Sequence, residues 1–457
     1  MKILTRLCVF ASVAATGLVL AATGADAAPV APVAGHAQAS ASGTKLWETR
    51  YAAENRGAFS YASAVSPDGY ALFVTGGFRR KLAEHGADAG ITIAYNTATG
   101  AQLWQASYNP GGRSTSVFNS IAVSPDGSTV FAAGGTQPAV GQAGPVLIVA
   151  YDAATGAARW TDTPAIPGAA GSIAVSPDGS TVFINSGNIT AAYNAATGAA
   201  LWTSSLGTQA SARSLSVSPD GSTVFLTALI GTTSEVLMAY DATTGTTRWS
   251  DTLAKLAPQS LAVSPDGSAV VVTGFWGGTP GTSTVDARTA AFAAATGAQM
   301  WSKTYKSAHG GSFGSAVTVS PDSATVFVTG STALTPAREV VATWAYDAAT
   351  GAAQWRKVLI GPGAGDAIAA SPGGSKVFVT SGGSGFSGAQ AFSTVAYDAA
   401  SGAQLWVLGY HSLSGGWHSF ADSIEVSPDS SKVFVTGDVN TPEPTVIPTM
   451  AAVAYSS

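Results

Sequence analysis

The sequence predicts an all-β chain, an eight-bladed β-propeller of four-stranded antiparallel blades, closed by an N-terminal strand D that joins C-terminal strands A–C. Three observations predict it. A Ser-Pro-Asp-Gly motif followed by a β-branched or aromatic run begins at Ser66, Ser124, Ser176, Ser218, Ser264, Ser320, Ser371 and Ser427. A second motif, Ala-Tyr-Asp-Ala-Ala-Thr-Gly-x-x-x-Trp from Ala150 to Trp160, alternates with it and ends at Trp47, Trp104, Trp160, Trp202, Trp249, Trp301, Trp355 and Trp406. Finally, Gly43 to Trp47 is the second half of that motif without its first half, and Ala452 to Ser457 is the first half without its second. A period of about 50 residues with four strand-like pieces marks a propeller blade. Joining the two half-motifs closes the ring and removes two sheet edges.

Taken in chain order, residues 1–27 read as a secretory signal peptide. Lys2 and Arg6 precede an apolar stretch from Leu7 to Leu20, and Ala25-Asp26-Ala27 supplies small residues for cleavage. The stretch is shorter than the roughly 20 residues a spanning helix needs. Residues 28–42, rich in Ala, Pro, Gly and Ser, read as a flexible linker, and 43–457 as the propeller. Within one repeat the strands follow from local chemistry. Ser120 to Val123 alternates small and large apolar side chains and is strand A. Pro125 then presets φ, Asp126 suits the third turn position and Gly127 accepts positive φ. Val130 to Ala133 is strand B, Val146 to Tyr151 strand C, Asp152 to Gly156 a second hairpin turn, and Ala158 to Trp160 the outer strand D. No segment carries a helical period.

Composition excludes several classes. Apolar residues make up 46% of the 457, which excludes disorder, and the 53 glycines have no three-residue period, which excludes collagen. A net charge of −5, with no basic run longer than Arg79-Arg80-Lys81, excludes nucleic acid as a partner. The single cysteine, Cys8, lies inside the signal, so the mature chain has no disulfide, thiolate nucleophile or Cys-ligated zinc. The eight tryptophans read as structural, docking between neighbouring blades. The recurrent Asp and Asn of the second turn read as turn formers, not metal ligands.

At Ala94-x-Asn96-x-x-Thr99-Gly100-x-x-x-Trp104 the pattern becomes specific. The chain resembles the PQQ-type (quinoprotein alcohol dehydrogenase-like) eight-bladed propellers and their tryptophan-docking motif, over about 43 to 457 and in all eight repeats. That superfamily includes non-enzymatic assembly lipoproteins of the BamB type, the branch closest in character. Ala293 for Asp, Ser456 at the seam, and Ala or Thr where the family often has Lys after the Gly are departures. The superfamily's dehydrogenases hold their quinone under vicinal cysteines, with calcium on Glu, Asn and Asp. The resemblance therefore implies PQQ and calcium only as an alternative here, because no mature cysteine can form that cap.

In a propeller the A–B and C–D turns share one face and the B–C and D–A loops the other. The first face repeats itself; the second carries what differs, which is where function sits on a rigid scaffold. Five residues before each turn serine, at the entry to strand A, stand Tyr61, Asn119, Gly171, Arg213, Gln259, Ser315, Asp366 and Asp422, each followed by Ala or Ser. The larger polar members, Tyr61, Asn119, Arg213, Gln259, Asp366 and Asp422, are expected to ring the channel mouth and, with loop residues His309, Trp417 and His418, to bind ligand. The simpler alternative is a set of solvated strand ends. Gly310 to Gly314 matches Gly-x-Ser-x-Gly, and Gly383 to Gly388 matches Gly-x-Gly-x-x-Gly, but neither leads into a helix, as their chemistry requires. The histidines show no zinc spacing. The expected function is that of a secreted, monomeric binding or scaffolding module with a protein or carbohydrate ligand. Neither a bound cofactor nor a metal is expected. A PQQ/Ca-dependent dehydrogenase, or a lyase or hydrolase at the channel mouth, stands as the alternative.

Overall fold

The computed structural model describes residues 43–52, 57–78, 89–110, 114–138, 142, 144–231, 234–277, 285–335, 338–359, 363–382, 390–411, 420–440 and 448–457. The signal-peptide and linker segments, 1–27 and 28–42, lie outside them. Strands pair into eight four-stranded antiparallel sheets, and no helix occurs among the described residues. The inner strands A are Ala58–Val65, Thr115–Val123, Ser172–Val175, Ala210–Val217, Ala257–Val263, Ser312–Val319, Ala364–Ala370 and Phe420–Val426, for blades 1 to 8. Each touches the inner strand of the next blade, and that of blade 8 touches that of blade 1, so the ring is closed.

Blade 8 takes its outer strand from the other end of the chain. Lys45–Tyr51 pairs antiparallel with Pro448–Ser456, Glu48 facing Val453 and Tyr51 facing Met450. Ser456 replaces the turn aspartate and does its work: its Oγ accepts from the N–H groups of Gly43 and Thr44 at 3.1 and 3.0 Å. Glu48 and Arg50 tie this strand to blade 7, where Tyr410 donates to Glu48 Oε1 at 2.7 Å beneath the Arg50 guanidinium.

Neighbouring blades interlock through the repeated tryptophans. Each ring lies over the positive-φ glycine of the next blade's second turn, where a Cβ would fall within 2.5–2.8 Å of the indole: Gly100 under Trp47, Gly156 under Trp104, and so on to Gly43 under Trp406. Seven of the indoles donate Nε1–H to a carbonyl of that same turn, as Trp301 does to Ala348 at 2.7 Å and Trp104 to Ala153 at 2.8 Å. Trp406 is the exception, with no acceptor. The turn it meets is the one cut by the chain ends. Phe73, Phe131, Phe183, Phe225, Phe327 and Phe378 tilt against the tryptophans of their own blades at 5.8–6.0 Å, filling the space behind them.

The A–B turns make a second interlocking ring. Pro67 packs on Gly127 of the next blade, Pro125 on Gly179 and Pro177 on Gly221, and Pro428 closes the circle on Gly69. Blades 6 and 8 have Ser323 and Ser430 where glycine is usual, held at φ of about 60°. Their hydroxyls accept from the N–H groups of Asp266 and Gly373 in the preceding blades, at 3.0 and 2.9 Å, which offsets a backbone geometry that L-residues disfavour. The turn aspartates accept a serine hydroxyl and backbone N–H groups, and these bonds lower their pKa values, that of Asp429 to about 2.

Two outcomes follow. Trp301→Phe should destabilise more than Trp406→Phe by about 1 kcal/mol in urea unfolding, since only Trp301 gives up a hydrogen bond. For the turn carboxylates, folded pKa values lie below unfolded ones, so their contribution is present above the usual 3.8 and is lost as pH falls toward about 2. Asp429→Asn should flatten part of that acid limb in a pH series of melting temperatures.

Candidate functional site

Seven of the eight positions singled out in the sequence share one backbone feature. The A–B register slips once in each blade except the third, and the residue skipped is Tyr61, Asn119, Arg213, Gln259, Ser315, Asp366 or Asp422. These are β-bulges. An extra residue in one strand re-aims its side chain and sharpens the local twist. Strand A begins two to four residues before each of these seven positions, so the set stands within the inner strands rather than at their entry. The sequence expectation erred because it took the run of small residues after the bulge for the whole strand. In blade 3 the strand begins only at Ser172, just after Gly171, and the Asn185 side chain accepts the Ser172 N–H at 2.7 Å.

The bulge is written into strand B. Opposite it stand Gly76, Gly134, Gly274, Gly330 and Gly437, where a Cβ would lie 1.8–2.1 Å from a carbonyl oxygen of strand A. The carbonyl that the bulge pushes across the sheet occupies the missing side chain's place. A Thr-Gly pair at this point, as in Thr75-Gly76, Thr273-Gly274, Thr329-Gly330 and Thr436-Gly437, was the overlooked signal. Beyond the bulge the hairpins continue upward. That of blade 6 runs to Thr335 and resumes at Arg338, so most of Gly330 to Glu339 is strand.

The bulge residues are partly buried, and Ser315 is fully so. Their partners divide the ring. In blade 4 the Arg213 guanidinium pairs with Glu235 at 3.1 Å on its own blade, and burial raises the Glu235 carboxyl while Arg213 draws it back. Arg213 is thus committed locally. In blades 7 and 8, Asp366 accepts the Gly382 N–H, and Asp422 accepts the Ser60 hydroxyl at 2.7 Å. Asp438, buried, accepts the Ser60 N–H at 2.8 Å. Burial pushes Asp366 well above the usual carboxylate range; the Gly382 N–H opposes this and the charge of Asp422 reinforces it. Asn119 reaches the Ala170 carbonyl at 3.3 Å, and Gln259 that of Pro258 at 3.1 Å.

His309 is exposed in the loop between blades 5 and 6, its N–H held by Ser307 Oγ at 3.2 Å. Trp417 and His418 lie outside the described residues. Among the described residues no three His, Cys, Asp or Glu side chains gather as metal ligands. The loop face also carries Trp276, 45% exposed, and Leu334, 37% exposed, at the tips of the B–C hairpins of blades 5 and 6.

A closed eight-bladed ring with one uniform face and one variable face defines a PQQ-like propeller repeat protein. Residues 87–329, just over half of the chain, match the family model of the outer membrane protein assembly factor BamB, and the chain belongs to that family. Among solved structures it is similar to BamB from Moraxella catarrhalis, with 14% identity, a TM-score of 0.52, and 91% of this chain and 100% of that one covered. It is also similar to the Dos1 propeller, with 12% identity, a TM-score of 0.61, and 91% and 95% covered. At such identities these likenesses carry the fold. No curated protein matches the chain.

Gly330→Ala should force the Phe313 carbonyl aside and cost about 1–3 kcal/mol by denaturant unfolding. The same change at Gly373, whose φ is not positive and where a Cβ would meet nothing nearer than 3.4 Å, should cost less; a larger loss at Gly373 would count against the bulge as the constraint.

Proposed function

We propose that this protein is an exported binding or scaffolding propeller that engages a protein partner through its B–C and D–A loop face. The observation that carries the reading is the contrast between the faces. The turn face repeats the same bonds in blade after blade, whereas bulges on the inner strands set seven side chains of six kinds in equivalent places. A rigid ring with variable side chains at fixed positions provides a specific surface at little entropic cost. Membership of an assembly-factor family supports a protein partner. Export rests on the N-terminal sequence pattern alone. Exposed Trp276 and Leu334 supply apolar contact area of the kind that anchors interfaces.

Site-specific photo-crosslinkers test the reading in the producing cell. Placed at Trp276 and Leu334, they should yield a discrete protein adduct, whereas Tyr70, 56% exposed on the turn face, should not. Adducts from Tyr70 alone would reverse the assignment of faces. A thermal shift with PQQ and calcium together would replace the proposal with a cofactor-dependent one.

A further inference from the structure

One strand B position separates blade 5 from all the others. Seven blades carry Phe seven residues after the turn serine, and blade 5 carries Val271. The seven phenyl rings lie 5.8–6.0 Å from the tryptophan of their own blade. Each ring also reaches the next blade. Phe131 packs in one cluster with Val175, Val182 and Ala195 of blade 3, and Phe225 with Val263, Val270 and Ala294 of blade 5. Counted from the turns, the residues in those places across from Val271 are Val319, Val326 and Ala348 of blade 6.

Those three residues and Val271 line a cavity of about 140 Å³ at the junction of blades 5 and 6. The void is the space of the absent ring, and all four of these wall residues are buried. An apolar cavity of about 150 Å³ takes one benzene molecule, so the volume suits a single aromatic ring. The mouth has two unlike sides. Met300, 44% exposed, is one; at its place blades 2 and 4 have Arg159 and Arg248, each paired with its own turn aspartate. Asp266 is the other, exposed and held by the Ser264 hydroxyl at 2.6 Å and the Ser268 N–H at 3.0 Å. In blade 2 the Ser124 hydroxyl chiefly, and the Arg159 charge in smaller part, hold the equivalent Asp126 below the usual carboxylate range. Met300 brings no such charge to Asp266.

We propose that this cavity is a binding site for a small aromatic cation, its ring in the place of the missing phenyl and its positive group at the Asp266 carboxylate. The chain itself displays the fit. Seven blades set a ring in the same surroundings, and two set a cation at the same mouth. Apolar burial of the ring supplies affinity, and the carboxylate supplies the choice of charge. The site lies among the A–B and C–D turns, on the face opposite the one proposed to engage a protein, and it takes a different class of ligand. The two readings therefore stand or fall separately.

The test titrates the full chain with benzylammonium and, separately, with benzoate, read by ligand-observed NMR and by melting temperature. Benzylammonium should bind saturably at one site per chain and raise the melting temperature, with benzoate weaker by about tenfold or more. Val271→Phe restores the ring of the other blades. It should raise the melting temperature of the unliganded chain and weaken benzylammonium by about tenfold or more. Should that variant fail to fold, Val271→Leu fills part of the void and should weaken binding to a smaller extent. Asp266→Asn should weaken benzylammonium and narrow its advantage over benzoate. Absence of saturable binding to wild type, undiminished binding to the Val271 variants, or benzoate binding as tightly as benzylammonium would overturn the proposal.

Discussion

An indole lying on a glycine of the neighbouring blade is the contact on which this ring depends. It is directional as well as apolar. The glycine's positive φ shapes the turn, the absence of a Cβ lets the ring lie flat, and the Nε1–H bond to the turn carbonyl fixes the blade's rotation. Eight sheets that met only through aliphatic side chains could slide or change number. An aromatic ring seated in a backbone notch allows one spacing, and the A–B turns repeat the constraint at a smaller radius through proline on glycine.

Given that fixed spacing, the inner strands are free to differ. The bulge resolves two demands on strand A. It must pack against both neighbours, which calls for the small residues after the bulge, and it must present something other than small residues. An extra residue does this without disturbing the pairing on either side, and the missing side chain on strand B makes room for it. The resulting ring is not balanced in charge. Arg213 is taken up by Glu235 on its own blade, and the acidic groups concentrate on blades 7 and 8.

Blade number, strand order and the joining of the two termini in one sheet could all be read from the sequence, because each rests on local chemistry repeated eight times. Repetition separates a turn former such as Asp152 from a site residue better than any single occurrence. The positions of Tyr61, Asn119, Arg213, Gln259, Asp366 and Asp422 were legible as a series, but their placement on bulges was not. A bulge is a relation between two strands, and its sign lay in strand B. The partner of Arg213 was illegible for a similar reason: Glu235 is distant in the repeat and has no counterpart in the other blades.

The pairing of Lys45–Tyr51 with Pro448–Ser456 also orders events in time. Made first, the outer strand of blade 8 has no partner until nearly the whole polypeptide has been synthesised. Blades 1 to 7 are each contiguous in sequence and can form from local hairpins, whereas the final sheet needs a closure spanning about 400 residues. Until it forms, the growing molecule is an open arc with a sticky flank at each end. The completed toroid therefore waits on the meeting of these two distant strands.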